Sequence, residues 1–370
     1  MDSHGAAAEY FPGPKDGWHK VSPADAGMDA GIIQQAIDFH GRHDSTSVPY
    51  GVDIGTSIIS GRAGEPFNEL IGPVKQRGPV NGLIVRHGRI VAEWGDTERA
   101  DMTFSVSKSY LSTTAALALD RGLILSLDDR VADYVQDGGF DSAHNNKITW
   151  HMLLNQTSAW EGTLWGKPDW CDRPEGPGLP HERALVEPGT KFKYNDVRVN
   201  RLALALTRVW RRPLPGVLHE HVMAKIGASP TWEWHGYDNS WVTVDGMRVQ
   251  SVSGGGHWGG GLIISSRDHA RFGYLCLRHG EWDGQRVFSA DWVRRATTPT
   301  PSNPTYGYMN WYLNTNRELL PDAPATSFFH GGQGRNVIYV DWEHDLVVVA
   351  RWIDNAALPE FIRLVLAAVK

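Results

Sequence analysis

Cysteine is scarce in this chain, with Cys171 and Cys276 the only two among 370 residues. Two thiols cannot build a framework of several disulfides or a four-cysteine zinc site. They could form a single bridge, but two separate buried thiols are the expectation. Long runs of lysine and arginine are also missing, and the formal net charge is −6. This charge argues against nucleic acid or an anionic membrane as the main partner. No apolar stretch approaches the roughly 20 residues that a membrane-spanning helix requires.

The remaining composition indicates a large folded protein. Hydrophobic residues make up 41% of the chain and charged residues 21%, which provides for a sizeable core and excludes wholesale disorder. At this length we expect two packed lobes or one large domain. Residues 1–5 show no basic segment leading into an apolar run, so a cytoplasmic location is the expectation.

Tryptophan is unusually frequent, at 16 residues. Most of these rings are expected in packing, because aromatic side chains bury large areas. The alternative is an aromatic wall around a substrate cleft. Trp160, Trp165 and Trp258 are the candidates for such substrate-binding residues.

Hydrophobic periodicity predicts an α+β fold. Helices are predicted where apolar residues recur every three to four positions, and strands where β-branched residues cluster between turns. The predicted helices cover residues 29–40, 102–120, 149–154, 197–209, 215–226, 268–277 and 359–369. The predicted strands cover residues 82–85, 90–94, 262–265, 336–342 and 346–352. Residues 43–80 are predicted to form a loop, and residues 156–188 an irregular segment of a length that usually shapes a site.

Strands joined by short turns indicate an antiparallel β-sheet flanked by helices. Sheet elements lie toward both ends of the chain, and the middle is mostly helical. We therefore predict a discontinuous sheet lobe of residues 1–110 and 260–370. A mainly helical lobe of residues 111–259 is inserted into it, with the active site at the interface of the two lobes.

The sharpest local pattern is Ser105-Val106-Ser107-Lys108, at the start of a predicted helix. Residues three apart share a helix face, so the Ser105 hydroxyl and the Lys108 amine can meet. A serine hydroxyl becomes a nucleophile when a base removes its proton, and a desolvated lysine can serve as that base. A helix N-terminus adds positive potential and a backbone N–H for an oxyanion. The alternative is an ordinary N-cap serine near a surface lysine.

A second pattern surrounds Tyr194, which follows a Pro-Gly turn and precedes a predicted helix. Beside an ammonium group, the pKa of its phenol could fall below the usual value of about 10, and the phenol could act as a general base. The alternative is an aromatic residue used for packing.

A third pattern is His330-Gly331-Gly332-Gln333, which precedes a predicted strand. Two glycines beside a histidine let a substrate approach the backbone closely, and the N–H of Gln333 could bind an oxyanion. The alternative is a glycine-rich turn without chemistry.

Other motifs in the sequence lack the neighbouring structure that their usual function requires. Residues 254–259 fit the dinucleotide-binding pattern G-x-G-x-x-G, but a strand rather than a helix follows them. His219 and His221 fall on different faces of a predicted helix, so they do not form a metal site. The sequence has no G-x-S-x-G elbow, which argues against the α/β-hydrolase fold. We therefore expect no metal and no cofactor.

Taken together, the Ser-x-x-Lys element, the triplet that begins at Tyr194 and the triplet that begins at His330 resemble the serine β-lactamase and penicillin-binding-protein superfamily. The sequence most resembles its class C-like branch, which includes family VIII carboxylesterases, D-aminopeptidases and 6-aminohexanoate-dimer hydrolases. The resemblance extends over roughly residues 80–355, with order and spacing in agreement. It implies the α+β fold of that superfamily, with the site between sheet and helices.

The resemblance also implies a role for each matching residue. Ser105 is the nucleophile that becomes acylated, and Lys108 activates it and shares a proton with Tyr194. Tyr194 is the base for acylation and the proton donor to the leaving group. The backbone N–H groups of Ser105 and Gln333 form the oxyanion hole.

The sequence departs from the family pattern at two positions, both among the expected substrate-binding residues. Asp196 ends the tyrosine triplet where the family usually has asparagine. A carboxylate cannot donate to a substrate amide, but it could pair with Lys108 or attract a substrate amine. His330, followed by Gly331 and Gly332, stands where many relatives have a lysine, and a neutral histidine binds anions more weakly. Both departures argue against β-lactamase or peptidoglycan activity.

The function implied is that of a metal-free serine hydrolase that cleaves a small-molecule ester or amide through an acyl-enzyme on Ser105. Asp196 suggests a substrate that carries an amine near the scissile bond. An acyltransferase using the same acyl-enzyme is the main alternative, followed by a β-lactamase or D-amino-acid peptidase and by a non-catalytic binding homologue. No nucleic-acid or membrane partner is expected, and a homodimer is compatible with the sequence.

Overall fold

The structure, a computed structural model, describes residues 9–14, 17–175 and 186–370. The first five residues, on which the expected location rests, lie outside the described residues. So does the part of the predicted irregular segment at 176–185.

Groups of helices and groups of strands follow one another along the described chain. The helices are α1 (Ala30–Arg42), α2 (Ile54–Ser60), α3 (Ser107–Asp120), α4 (Trp150–Leu154), α5 (Asp196–Trp210), α6 (Leu214–Leu218), α7 (Ser266–Leu277), α8 (Ala290–Ala296) and α9 (Leu358–Ala367). The strands are β1 (Asn81–Arg86), β2 (Arg89–Trp94), β3 (Asp101–Met102), β4 (Thr163–Leu164), β5 (Lys167–Pro168), β6 (Glu233–Val244), β7 (Met247–Val252), β8 (Gly261–Ile264), β9 (Glu281–Trp282), β10 (Gln285–Arg286), β11 (Trp311–Leu313), β12 (Phe328–Gly332), β13 (Asn336–Asp341) and β14 (Leu346–Arg351).

The largest sheet has six antiparallel strands in the order β11-β12-β13-β14-β1-β2. It joins distant parts of the chain, because β1 pairs with β14 and Leu83 lies opposite Val349. The predicted hairpin is the β1–β2 pair. Its turn contains His87 and Gly88 with φ of 50° and 74°, the left-handed conformation that suits the twist of a tight hairpin. The predicted α+β fold with an antiparallel sheet flanked by helices is confirmed.

Helices cover both faces of this sheet, and the side chains of β14 alternate between them. Val347 and Val349 belong to the apolar core shared with α7, whereas Val348 and Ala350 belong to the core shared with α1 and α9. Successive side chains of a strand point to opposite faces of the sheet, and here both faces are buried. Helix α7 approaches the sheet closely at Gly273, where a β-carbon would lie 2.6 Å from a side chain of β13.

Polar caps in the sequence explain where several helices begin. Asp29, Thr149 and Asn195 each accept a hydrogen bond from a backbone N–H in the first turn of α1, α4 and α5. Such caps satisfy N–H groups that have no partner inside the helix. The helices predicted at 29–40, 149–154, 197–209, 268–277 and 359–369 are confirmed with ends that differ by about two residues.

The predicted helix at 102–120 begins later than expected. Asp101 and Met102 form β3 and pair with Ile264 and Ile263 of β8. A 3₁₀ turn at Phe104–Val106 follows, and α3 starts only at Ser107. Helix α3 is buried on every side from Ser107 to Ala118, which makes it the central helix beside the sheet.

Several elements of the fold were not predicted from the sequence, and two of them lie where another structure was expected. Helix α2 lies in the segment expected to be a loop, and the long β6–β7 hairpin lies in the segment expected to be mainly helical. This hairpin belongs to a four-stranded sheet in the order β3-β8-β6-β7. Its register shifts between Gly236 and Trp241, and such an irregularity interrupts the alternation by which a strand is recognised in a sequence. The division into lobes at residues 110 and 260 stays a prediction.

Two predictions from composition can be compared with the fold. Cys171 and Cys276 are both buried and unpaired, as expected. Within the described residues, the helices are too short or too polar to cross a lipid bilayer.

Candidate active site

Ser105 lies at a sharp bend between β3 and α3. Phe104, directly before it, has a φ of 49°, a left-handed conformation that is unfavourable for a bulky residue and that often occurs at active sites. Ser107 fixes the other side of the bend, because its Oγ accepts a hydrogen bond of 2.9 Å from Leu262 N. As a result Ser105 is half-buried and faces a cavity.

Lys108 is fully buried and contacts Ser105 directly. Its Nζ donates a hydrogen bond of 2.9 Å to Ser105 Oγ and another of 2.8 Å to Asp196 Oδ1. Burial lowers the pKa of Lys108 from its usual value, although the charge of Asp196 opposes this shift. The structure therefore brings together the serine and lysine that the sequence pattern singled out.

Asp196 is the first residue of α5 and is almost completely buried. Its Oδ2 lies 3.3 Å from a guanidinium nitrogen of Arg173 and 3.5 Å from His257 Nδ1. Burial opposes ionisation, but the charge of Lys108 and the contacts with His257 and Arg173 outweigh it and hold the pKa of Asp196 well below its usual range. Both carboxylate oxygens thus face cationic or proton-donating groups of the protein, which removes the reason to expect a substrate amine at Asp196.

Gly255 leaves the space in which Lys108 and Asp196 meet. A β-carbon at this position would clash with Lys108 Nζ and Asp196 Oδ1. The backbone of Gly255 itself has no left-handed φ, so the close contact alone requires glycine. From the sequence, this glycine was considered only as one of residues 254–259, which fit the dinucleotide-binding pattern.

Tyr194 presents the face of its ring to Lys108. The Nζ of Lys108 lies 4.7 Å from the ring centroid, and the guanidinium carbon of Arg173 lies 4.8 Å from it. The Tyr194 hydroxyl donates a hydrogen bond of 3.2 Å to Asn310 Oδ1. Burial raises the pKa of Tyr194 well above its usual value, so the phenol is protonated in the resting site.

The end of β12 lies against the peptide before Ser105. A β-carbon at Gly332 would clash with Thr103 O and lie 3.3 Å from Ser105 N. Gln333 follows directly and lines the same cavity. Glycine at 332 therefore brings the backbone of the β12 end close to the amide of Ser105.

These residues surround a cavity of about 510 Å³, a size typical of small-molecule sites. Its lining residues are Gly61, Arg62, Glu65, Phe104, Ser105, Arg173, Tyr194, Asp196, Gly255, His257, Tyr312, Gly331, Gly332, Gln333, Arg335 and Asn355. Four lining residues were not predicted from the sequence: Arg62, Glu65, Arg173 and Arg335. Arg62 and Glu65 lie in the segment predicted as a loop, and Arg173 lies in the predicted irregular segment. In such segments no hydrophobic periodicity indicates which way a side chain points.

Of the expected substrate-binding residues, His330 does not reach this cavity. Alternation along β12 turns its side chain into the core, where it packs against Trp311, Phe328 and Phe272 with ring centroids 4.7 to 5.6 Å apart. It is fully buried, and burial lowers its pKa to about 3. We therefore do not assign His330 to substrate binding, whereas Gly331 lines the cavity as expected.

The three candidate tryptophans also lie elsewhere. Trp160 and Trp165 line a separate cavity of about 440 Å³, and Trp160 Nε1 donates to Gly139 O at 2.7 Å. Trp258 is buried and packs against the His257 ring at a centroid distance of 4.3 Å. These rings serve packing, which was the first expectation for the tryptophans, and we do not assign them to the substrate cavity.

A group of potential metal ligands lies beside the cavity. Glu65, Asp172 and His257 bring three suitable atoms within 4.8 Å of one another. The protein partners these groups itself: His257 Nε2 donates to Glu65 Oε2 at 2.7 Å, and Arg173 forms an ion pair with Asp172. Because a guanidinium already neutralises Asp172, the arrangement favours a hydrogen-bonded network over a cation site, and we assign no metal ligand here.

The sequence and the structure were compared with known proteins. The family model for Beta-lactamase matches residues 73–353. No curated protein matches the sequence.

Several solved structures share the fold at low sequence identity. EstCE1, described as a hydrolase with promiscuous acyltransferase activity, is 17% identical with a TM-score of 0.58, covering 94% of this chain and 98% of its own. A family VIII carboxylesterase is 18% identical with a TM-score of 0.56, covering 78% and 91%. A penicillin-binding-protein homologue from Caulobacter crescentus is 15% identical with a TM-score of 0.56, covering 77% and 90%. At these identities the likeness shows a shared fold.

Proposed function

This chain belongs to the beta-lactamase family, and from that membership we propose that it is a metal-free serine hydrolase acting through an acyl-enzyme on Ser105. The observation that carries the proposal is the hydrogen bond of 2.9 Å between Lys108 Nζ and Ser105 Oγ. A nucleophile beside a base, with the base oriented by a third group, is the arrangement that activates serine. Asp196 is that third group, because its Oδ1 accepts the second hydrogen bond of Lys108.

In the acylation step, the neutral form of Lys108 takes the proton from Ser105 Oγ as Oγ attacks the carbonyl carbon of the substrate. Burial lowers the pKa of Lys108 and so increases the fraction of neutral amine. The carbonyl π electrons move to oxygen, and the N–H groups of Ser105 and Gln333 stabilise that oxyanion. Collapse of the tetrahedral intermediate breaks the bond to the leaving group and leaves an ester on Ser105.

The leaving group needs a proton, and Tyr194 is proposed to donate it. Its raised pKa keeps the hydroxyl protonated, so it suits the role of acid better than that of resting phenolate base. Lys108 then passes the proton that it took from Ser105 to the tyrosinate, which restores neutral Tyr194. In deacylation a water molecule attacks the ester carbonyl, the same groups transfer protons in reverse, and Ser105 Oγ leaves.

The substrate class is a small-molecule ester or amide. A cavity of about 510 Å³ fits a small molecule better than a polymer chain. A family VIII carboxylesterase of the same fold makes the ester the first choice of probe. Because both oxygens of Asp196 are engaged by protein groups, we no longer propose an amine near the scissile bond.

Transfer of the acyl group to an alcohol or amine is the second candidate function. It is supported by the likeness to EstCE1, a hydrolase with promiscuous acyltransferase activity whose fold covers nearly the whole chain. The same acyl-enzyme serves both reactions, since only the attacking nucleophile differs. Product analysis with and without an added alcohol separates them.

The test of the proposed function is trapping of the acyl-enzyme. The protein is mixed with a fluorophosphonate or with a panel of esters, amides and β-lactams, and its intact mass is measured. We expect an adduct on the native protein and on Ser109→Ala, a control in the same buried helix and outside the cavity. Ser105→Ala should carry no adduct; a native protein without any adduct, or an adduct that persists in Ser105→Ala, contradicts the proposal.

A further inference from the structure

The imidazole of His257 lies between two carboxylates of the active site. Its Nε2 is 2.7 Å from Glu65 Oε2, and its Nδ1 is 3.5 Å from Asp196 Oδ2. The ring is buried, and in the described part of the chain Nδ1 has no hydrogen-bond partner. His257 has no part in the proposed mechanism so far, although Asp196 joins it to Lys108.

A neutral imidazole cannot satisfy both contacts. It carries one N–H and one lone pair, so either tautomer turns a lone pair toward a carboxylate oxygen of Glu65 or Asp196. Burial opposes the ionisation of Glu65, but the contacts with His257 and Arg173 outweigh it and lower its pKa. The pKa of Asp196 is also held low, so both carboxylates are ionised. A second proton on the ring therefore gives each of them a donor.

Other charged groups complete a network around this ring. Asp172 Oδ1 lies 3.7 Å from His257 Nε2, and Arg62 donates to the carbonyl oxygen of His257. Arg173 forms ion pairs with Asp172 and Asp196. With Glu65, the network in the described part of the chain thus holds three carboxylates and two guanidiniums.

This network has one negative charge in excess when Lys108 and His257 are both neutral. The nearby hydroxyls of Tyr194 and Tyr237 do not change the count, because burial raises the pKa of both. One proton, on Lys108 Nζ or on His257 Nδ1, restores neutrality, and a second leaves one positive charge in excess. Uncompensated charge is costly away from water, so the site favours a single proton for the two bases.

The two bases compete for this proton through one carboxylate. Asp196 contacts Lys108 with Oδ1 and His257 with Oδ2, so a proton on either base is stabilised by the same negative charge. Burial lowers the pKa of Lys108, although the charge of Asp196 opposes this shift. Burial thus weakens the hold of the amine on the proton, and the imidazole gains a donor contact when it takes the proton.

We propose that His257 holds the proton that Lys108 must lose before it can act as a base. The inference rests on the proposed function and deepens it. An N–H bond of Lys108 breaks and an N–H bond forms at His257 Nδ1, while Asp196 is ionised before and after. The neutral amine then directs its lone pair to Ser105 Oγ and takes the serine proton. His257 acts on Ser105 only through Lys108, and so it is a positioning residue.

The first test is the pH profile of kcat/KM for 4-nitrophenyl butyrate, a neutral ester, in His257→Asn. Asparagine keeps a donor for Asp196, but it cannot carry the proton. Lys108 must then lose its proton without an imidazolium to compensate the carboxylates. A charge at this distance moves a pKa by roughly 1 to 3, so we expect the rising limb of the profile to move to higher pH by about 1 pH unit or more.

The matched control is His235→Asn. His235 also contacts a glutamate through Nε2, at 2.8 Å from Glu233 Oε2, but this pair lies outside the active-site cavity, and its profile should equal the native one. A limb that stays in place or moves to lower pH in His257→Asn overturns the inference, even where kcat/KM falls at every pH. A ring that only fills space or fixes Asp196 would give that result.

A measurement without turnover separates this inference from the proposed hydrolysis, and it decides the matter where His257→Asn is inactive. Histidines are labelled with ¹⁵N in the native protein and in Lys108→Met, and the signals that His257→Asn or His257→Gln removes identify His257. Lys108→Met eliminates the competing base, and the titrations of two such sites are coupled. We therefore expect the imidazole of His257 to keep both protons to a higher pH in Lys108→Met.

Each outcome of this measurement has a separate meaning. The same protonation of His257 in the native protein and in Lys108→Met overturns the inference. A change in Lys108→Met together with Ser105-dependent turnover supports both proposals. The same change without any Ser105-dependent turnover contradicts only the proposed function.

Discussion

Asp196 Oδ1 accepts a hydrogen bond of 2.8 Å from Lys108 Nζ, and the side chains of both residues are almost fully shielded from solvent. This ion pair sets the protonation of the group that touches Ser105. Burial drives the amine toward its neutral form, and the carboxylate drives it toward the charged form. In the proposed mechanism, the residue at position 196, where the family usually has asparagine, therefore controls how readily Ser105 is activated.

The first prediction follows from this balance and concerns Asp196→Asn. If neutral Lys108 is the base, the rate rises with pH through the pKa of Lys108. The carboxylate of Asp196 raises that pKa, so its removal lowers the pKa further and moves the rising limb of the kcat/KM profile to lower pH. The pH profile of ester hydrolysis measures this shift. Asp245→Asn, at an exposed pair with Arg211, is the control, and a limb at the same or higher pH would show that Lys108 is not the base.

The second prediction concerns Gly255→Ala. The added methyl would overlap the meeting point of Lys108 and Asp196 and displace the amine from Ser105 Oγ. A displacement of about 1 Å can cost roughly 100-fold in rate, and we expect a loss of at least this order in kcat/KM. The control is Gly41→Ala in α1, where nothing lies within 4 Å of the new methyl. Native activity in Gly255→Ala would mean that the ion pair can move without consequence.

The chemistry of this site was more accessible to sequence reasoning than its selectivity. Ser105 and Lys108 are close in sequence, and a helix-like turn fixes their contact whatever the rest of the fold does. Tyr194 and Gly332 were found because their neighbours form recognisable turns. The contacts of Arg62 with His257 and Gln333, in contrast, span 195 and 271 residues, and no local pattern encodes such a contact.

His330 shows a second limit of prediction from the sequence, which concerns the direction of a side chain. From the sequence we expected the residues after His330 to approach the serine, but the sequence did not indicate which face of β12 each side chain takes. Alternation along the strand sends His330 into the core and leaves Gly331 at the cavity. The direction of a side chain depends on the register of β12 against β11 and β13, which only the assembled sheet defines.

The third prediction tests Tyr194 as the proton donor. Tyr194→Phe removes the hydroxyl but keeps the ring that faces Lys108. General acid catalysis contributes roughly 100- to 10,000-fold, so we expect a large loss of kcat with an alkyl ester, whose alkoxide needs a proton. The loss should be much smaller with a 4-nitrophenyl ester, whose phenolate leaves without one.

Tyr306→Phe is the control for this prediction. Tyr306 packs against Tyr194 at a centroid distance of 6.1 Å, but it is buried outside the cavity and its hydroxyl accepts from Gln156 and from Asn310 N. A structural role of either hydroxyl would lower the rates with both esters alike. Equal losses for the two esters in Tyr194→Phe would therefore assign the tyrosine a positioning role.

The fourth prediction concerns stability and follows from the position of His330. In the folded protein burial lowers its pKa to about 3, whereas the ordinary value of 6.5 applies to the unfolded chain. At a pH between these two pKa values, His330 is protonated in the unfolded chain but not in the folded protein. The free energy of unfolding therefore falls as the pH drops below 6.5, by roughly 1.4 kcal/mol per pH unit for this residue. His330→Leu cannot bind that proton, so its unfolding midpoint in urea should decline less than the native midpoint between pH 7 and pH 5.

His19→Leu is the control, because His19 is exposed and should leave the acid dependence as in the native protein. His269, which is also fully buried with a lowered pKa, keeps part of the acid sensitivity in every variant. Leucine has nearly the volume of histidine and suits the apolar neighbours Phe272 and Trp311, so stability at pH 7 should be similar or higher. A native-like acid dependence in His330→Leu, or a rise in KM for a neutral ester with unchanged stability, would return His330 to the list of substrate-binding residues.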